Sequence, residues 1–118
     1  MQKIKAVLMK ELRECAENVS FERSSAAYPR LRCSLKRLGS ADPPVYPYVL
    51  YIDFIGRREA VDELNELVEK VCTRLNRTIC TDTVTLTCSV EGVQEDPDNK
   101  EDVKKIYGSF AIRAYYKE

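Results

Sequence analysis

Apolar positions along the chain switch between two periods. Over residues 2–18, Ile4, Val7, Leu8, Leu12, Cys15 and then Val19 recur three or four apart. That spacing is one stripe of a helix. Lys3, Lys5, Lys10, Glu11, Arg13, Glu14 and Glu17 fall mostly on the other side. Residues 28–37 change to period two, with Leu31, Cys33 and Leu35 against Arg30, Arg32, Ser34 and Lys36. A strand with one buried face has that pattern. The breaker cluster at 39–44 predicts a loop. Val45 to Ile55 is rich in strand formers. Pro47 cannot donate to a ladder, so the main strand is expected over 48–55, in a hairpin with 28–37.

The helical period returns over 58–76. Val61, Leu64, Val68, Val71 and Leu75 form a stripe, widened by Ala60, Leu67 and Cys72. Glu59, Asp62 and Glu63 open this helix and Arg74 and Arg77 close it, as the helix dipole favours. Thr83 to Val90 alternates, with Val84, Leu86, Cys88 and Val90 on one side. Glu91 to Asp102 holds six acids and one lysine and reads as an acidic loop at a hairpin tip. A long strand closes the chain. Ile106, Phe110, Ile112, Ala114 and Tyr116 face one way; Tyr107, Ala111, Arg113 and Tyr115 face the other.

The order α-β-β-α-β-β predicts a single α+β domain over residues 1–118. The expected architecture is a two-layer sandwich: a four-stranded, mostly antiparallel sheet with two helices on one face. A parallel link through the second helix is expected to be a right-handed crossover. The other sheet face would then carry Arg30, Arg32, Val49, Tyr51, Thr85, Thr87, Tyr107, Arg113 and Tyr115. Tyr and Arg are enriched at protein interfaces, and they are also platforms for bases. A merely solvated face remains open, because Thr, Arg and Tyr all suit exposed strands.

Composition removes whole classes of chemistry. There is no histidine, so the usual general base and the commonest metal ligand are missing. Ser-His-Asp and Cys-His pairs are ruled out with it. Four glycines build neither of the glycine-rich phosphate cradles. Five cysteines, none in Cys-x-x-Cys spacing, read as reduced small hydrophobes. A thiol enzyme using Cys33, Cys80 or Cys88 is the alternative. Asp62 and Glu66 share a helix face, but a solvated one. The acidic 95–102 stretch lacks the order of a calcium loop, and Lys105–Ile112 only loosely echoes an RNA-recognition strand. The expectation is a protein that is not an enzyme, with no catalytic, cofactor-binding or metal-binding residues.

Nineteen basic residues balance nineteen acids. That opposes a generic polyanion binder. The charge is unevenly spread, with Arg30, Arg32, Lys36 and Arg37 in one basic strand and the 91–102 segment acidic. Unlike patches on one chain can meet across neighbouring copies, and head-to-tail contacts of that kind close into rings. Lys3, Lys5, Lys10 and Glu11 interrupt any apolar leader, and no stretch reaches the roughly 18 apolar residues of a membrane span. A cytosolic protein is expected.

The element order, with Ala27-Tyr-Pro-Arg-Leu31, Tyr46-Pro-Tyr-Val-Leu-Tyr-Ile-Asp-Phe54, the charged helix from Arg57 to Asn76 and the closing Tyr107-Gly-Ser-Phe-Ala-Ile-Arg-Ala-Tyr-Tyr116, resembles the tail-terminator (tail-completion) proteins of long-tailed bacteriophages and prophages. The resemblance covers nearly the whole chain. It implies a structural role and no reaction. Such proteins form a ring, commonly of six copies, at the end of the tail tube; the ring stops tube polymerisation and offers a docking surface for the head. The implied partners are other copies, the tube protein and the head–tail connector protein, with DNA only passing through the ring and no membrane contact. The implied location is the bacterial cytoplasm during assembly and then the virion tail. The interface candidates are Arg30, Arg32, Tyr51, Tyr107, Arg113 and Tyr115. The alternative is a small nucleic-acid-binding module that stacks bases on Tyr51, Tyr107 and Tyr115.

Overall fold

The structure, a computed structural model, describes residues 2–21, 27–39, 45–97 and 102–117. Among these, helix α1 (Gln2–Arg13) leads to strands β1 (Val19–Ser20), β2 (Arg30–Arg37) and β3 (Val45–Arg57). A 3-10 turn (Arg58–Ala60) opens helix α2 (Val61–Arg74), which is followed by β4 (Thr78–Cys80), β5 (Val84–Glu95) and β6 (Val103–Tyr116). One six-stranded sheet runs in the order β1-β2-β3-β6-β5-β4. Only β1 and β2 are parallel neighbours; the other pairs are antiparallel. Because β6 opposes both β3 and β5, those two run parallel with β6 inserted between them.

This overturns the expected four-stranded sheet with two helices on one face. The sheet is mixed, six-stranded and curled, and strand dominates helix. The added strands, β1 and β4, are too short to show a period. Val19, expected on the first helix, belongs instead to β1. α1 stops at Arg13, where the Cys15 and Ala16 amides both donate to the Leu12 carbonyl, at 2.9 and 3.0 Å.

The antiparallel pairing of β2 with β3 matches the expected hairpin, although residues 40–44 of the connecting loop lie outside the described residues. β3 begins before Pro47, earlier than expected. The Pro47 carbonyl accepts from the Leu38 amide at 3.0 Å, one residue past the end of β2. A residue's N–H and C=O point to the same side of a strand, so the missing proline donor faces a place where the ladder has already ended.

The inner face of the sheet carries the core. Leu31, Cys33 and Leu35 lie opposite Phe54, Ile52 and Leu50, which in turn lie opposite Ile106, Gly108 and Phe110. Ile4, Leu8 and Leu12 of α1 and Leu64, Leu67, Val68 and Val71 of α2 belong to the same buried cluster. Each such side chain contributes roughly 1.5–3 kcal/mol by leaving water. Gly108 is small for a reason. A Cβ there would stand 3.0 Å from Phe110 Cε1 and 3.1 Å from Phe54 Cε2, so the two rings close over it.

The helices are also joined by charge. Glu11, 8% exposed, forms ion pairs with Arg77 and, at 3.4 Å, with Arg74. Burial alone would raise its carboxyl pKa. Hydrogen bonds from Arg77 and Arg74 outweigh that and hold it below its usual value.

The expected acidic loop at 91–102 is a second correction. Glu91 to Glu95 continue β5, and Glu95 lies opposite Ile106. A bulge between Val90 and Gly92 shifts the register, so the alternation read as far as Val90 breaks there. Residues 98–101 lie outside the described residues.

Candidate functional site

The outer sheet face follows from the register. Down β3 it shows Val45, Pro47, Val49, Tyr51, Asp53, Ile55 and Arg57; beside them on β6 stand Tyr115, Arg113, Ala111, Ser109, Tyr107, Lys105 and Val103. β2 adds Lys36, Ser34, Arg32 and Arg30, and β5 adds Thr85, Thr87 and Ser89. Past the bulge, Gly92 and Gln94 face the same way, opposite Ser109 and Tyr107.

Tyr51, Tyr107 and Tyr115 are 43%, 37% and 45% exposed. Arg113 is exposed and lies in register between Pro47 and Thr87. Arg32 donates twice to Asp53 Oδ2, at 2.7 and 3.1 Å. Arg30 is half-buried, with its guanidinium carbon 4.6 Å from the centre of the Tyr28 ring. Arg57 approaches the same ring at 5.0 Å. Ile55, between Arg30 and Lys105 in register, is only 1% exposed.

The six candidates therefore share one face but not one cluster. Tyr51 and Tyr107 are diagonal neighbours, because Tyr51 lies opposite Ser109, two residues along β6 from Tyr107. Tyr115 and Arg113 stand toward the Val45 end, while Arg30 and Arg32 stand toward the Arg57 end. Between these groups the face is mostly uncharged, with Pro47, Val49, Tyr51, Ala111, Ser109, Ser34, Ser89 and Gly92, but Lys36 reaches in from β2 with its ammonium 5.8 Å from the centre of the Tyr51 ring. Arg113, Lys36, Arg32, Asp53 and Asp96 surround that centre.

A hollow of about 340 Å³ opens in this charge-poor centre, between Tyr51 and Tyr107, and Gly92 and Ser109 also line it. Tyr107 is held in place, since its hydroxyl donates to Asp96 Oδ2 at 2.7 Å. That bond, with smaller contributions from burial and from Asp53, raises the Tyr107 pKa above its usual value.

Asp53, Asp96, Gly92 and Ser109 escaped the sequence reading. Asp53 was legible, because it falls on the polar side of its own strand's alternation. Gly92 and Asp96 were not, because the bulge changes which residues face outward and because acids and glycine read as loop.

The cysteines offer little chemistry. Burial, helped by Asp53, pushes the Cys33 thiol up to about 12. Burial pushes Cys88 up to about 11. Cys80 is exposed. Among the described residues, no three His, Cys, Asp or Glu side chains gather into a metal-holding group. No helix among them is long and apolar enough to cross a membrane.

Compared with known proteins, the chain matches no protein-family model and no curated sequence.

Proposed function

We propose that the chain is a structural, self-assembling protein of the tail-terminator kind. It forms a ring on the end of a bacteriophage or prophage tail tube, stops further polymerisation and offers the surface on which the head docks. Its partners are further copies of itself, the tube protein and the head–tail connector protein, and DNA only passes through the ring. It works in the bacterial cytoplasm during assembly and stays in the virion tail. The resemblance of the Tyr46–Phe54 segment, the charged helix and the closing Tyr107–Tyr116 strand to that family supplies the role.

One structural observation carries the reading: the outer sheet face has a charge-poor centre with a tyrosine-walled hollow, entered only by the Lys36 ammonium over Tyr51, and a charged rim. Protein interfaces share this anatomy, with charge depleted at the core and polar groups at the edge. Tyr51 and Tyr107 flank a recess that accepts a side chain from a partner, as interface anchors do.

The nucleic-acid alternative draws less support. Arg32 is committed to Asp53 and Tyr107 to Asp96, so acids sit where a phosphate backbone would run.

Electron microscopy of tail tubes mixed with the purified protein tests the proposal. Tube ends capped by a ring-shaped density are expected. Bare ends at saturating protein contradict it. Binding to single-stranded DNA that weakens steeply with salt would favour the alternative.

A further inference from the structure

Among the described residues, the sheet has two unequal edges, each covered only in part. β1 covers β2 only at Leu31 and Arg32, which leaves Cys33 to Arg37 without a strand partner on that side among the described residues. β4 covers β5 only from Thr85 to Thr87, and the Arg77 carbonyl reaches the Cys88 amide at 2.9 Å. Ser89 to Glu95 then lack a strand partner on their outer side among the described residues. Open strand edges are templates for another strand, and proteins that do not use them usually block them.

The edges differ in charge. The β2 edge carries Lys36 and Arg37, both exposed. The β5 edge carries Glu91 and Glu95, also exposed; Glu95 keeps Lys104 at 3.2 Å within its own hairpin and still faces solvent. Val93, between these two acids, is 45% exposed. Like edges repel each other under this arrangement, and unlike edges attract. Two copies meeting β2 to β2 would set Lys36 and Arg37 against the same residues. Two meeting β5 to β5 would set acids against acids.

We infer that copies of this chain join edge to edge, the basic β2 edge of one against the acidic β5 edge of the next, so that their sheets become continuous. The inference rests on the self-assembly reading above and names the contact that makes it. The join is heterologous, so each added copy presents the same basic and acidic edges, and a curled sheet lets the series close on itself. Backbone hydrogen bonds supply the adhesion, and cross-strand pairs of opposite charge fix which edges meet. Tyr107 and the β6 side of the outer face stay free for a different partner, while Lys36, whose ammonium is 5.8 Å from the Tyr51 ring centre, borders both surfaces.

Charge exchange tests this contact. The variants are Lys36→Glu with Arg37→Glu, and Glu91→Lys with Glu95→Lys, each run in sedimentation velocity over a concentration series. Wild type is expected to assemble beyond a dimer. Each variant alone is expected to associate about a hundredfold more weakly, because both of its edges then carry one sign. An equimolar mixture of the two is expected to regain assembly, and so is the chain carrying all four changes. Circular dichroism of each variant checks that the fold is intact; a variant that unfolds is replaced by its single-substitution forms, for which the same pattern of loss and rescue is expected. Wild type that stays monomeric, variants that assemble like wild type, or a mixture without rescue overturns the edge contact. The same samples mixed with tail tubes keep the two ideas apart. Capped tube ends regardless of edge charge remove the edge contact and leave the structural role standing, whereas bare ends with wild type remove the structural role itself.

Discussion

The Tyr107 hydroxyl donates to the Asp96 carboxylate at 2.7 Å and so ties the β5–β6 turn to the outer sheet face. The phenol ionises less readily because its proton is held by a carboxylate and because a phenolate there would meet negative charge. Asp96→Asn is expected to bring the Tyr107 ionisation back down toward the ordinary tyrosine value of about 10. Residue-resolved NMR titration of the tyrosine rings measures it. An unchanged Tyr107 titration would mean that the two residues are not paired in solution.

Tyr51 and Phe110 separate surface from core. They lie on opposite faces of neighbouring strands, one 43% exposed and one fully buried. Tyr51→Ala is expected to change stability by no more than about 0.5 kcal/mol while weakening assembly on tail tubes. Phe110→Ala is expected to cost about 3–5 kcal/mol. Denaturant titration gives the stabilities, and tube-end occupancy gives the assembly.

Much of this contrast was readable in the chain. Leu31, Cys33 and Leu35 alternate with Arg30, Arg32 and Ser34, and the register places these two sets on opposite sides. The same holds for Tyr107, Arg113 and Tyr115 against Ile106, Phe110 and Ile112. The legible residues are those whose local period and tertiary burial agree. Val19 was misread because a two-residue strand has no period, and its parallel pairing with Leu31 is purely tertiary. Glu91 to Glu95 were misread because their strand character comes from Ile106 to Ser109 across the ladder and not from their own propensities. The Tyr51–Tyr107 hollow was out of reach for the same reason, since its lining at Gly92 depends on the bulge.

Glu11 gives a pH test. Its carboxyl sits below the ordinary value in the folded chain because Arg77 and Arg74 outweigh its burial. A depressed folded pKa contributes stability that is complete above the unfolded value of about 4.3 and is lost as pH falls through the folded one. Wild type is therefore expected to lose an increment of stability on acidification that Glu11→Gln lacks. At neutral pH, Glu11→Ala is expected to cost about 1–3 kcal/mol, because it leaves two guanidinium groups without their shared acceptor. Urea titrations of both variants between pH 3 and about pH 7 measure these effects.

The thiols make the opposite pH argument. Cys33 and Cys88 are raised to about 12 and about 11 by burial. A raised folded pKa contributes stability that is complete below the unfolded value of about 8.5 and is lost as pH climbs through the folded value. Native-state alkylation at about pH 8 is expected to modify the exposed Cys80 first and to spare Cys33 and Cys88. Cys80→Ser is expected to leave tube-end capping unchanged. A loss of capping with the fold intact would instead assign that thiol a role.

Hydroxyl-radical footprinting of the free and the tube-bound protein reads the outer sheet face most directly. If that face is an assembly surface, oxidation of Tyr51 and Tyr107 falls on binding while the exposed residues of α2, such as Glu66 and Glu69, keep their rates. Equal oxidation of Tyr51 and Tyr107 in the two states would contradict it.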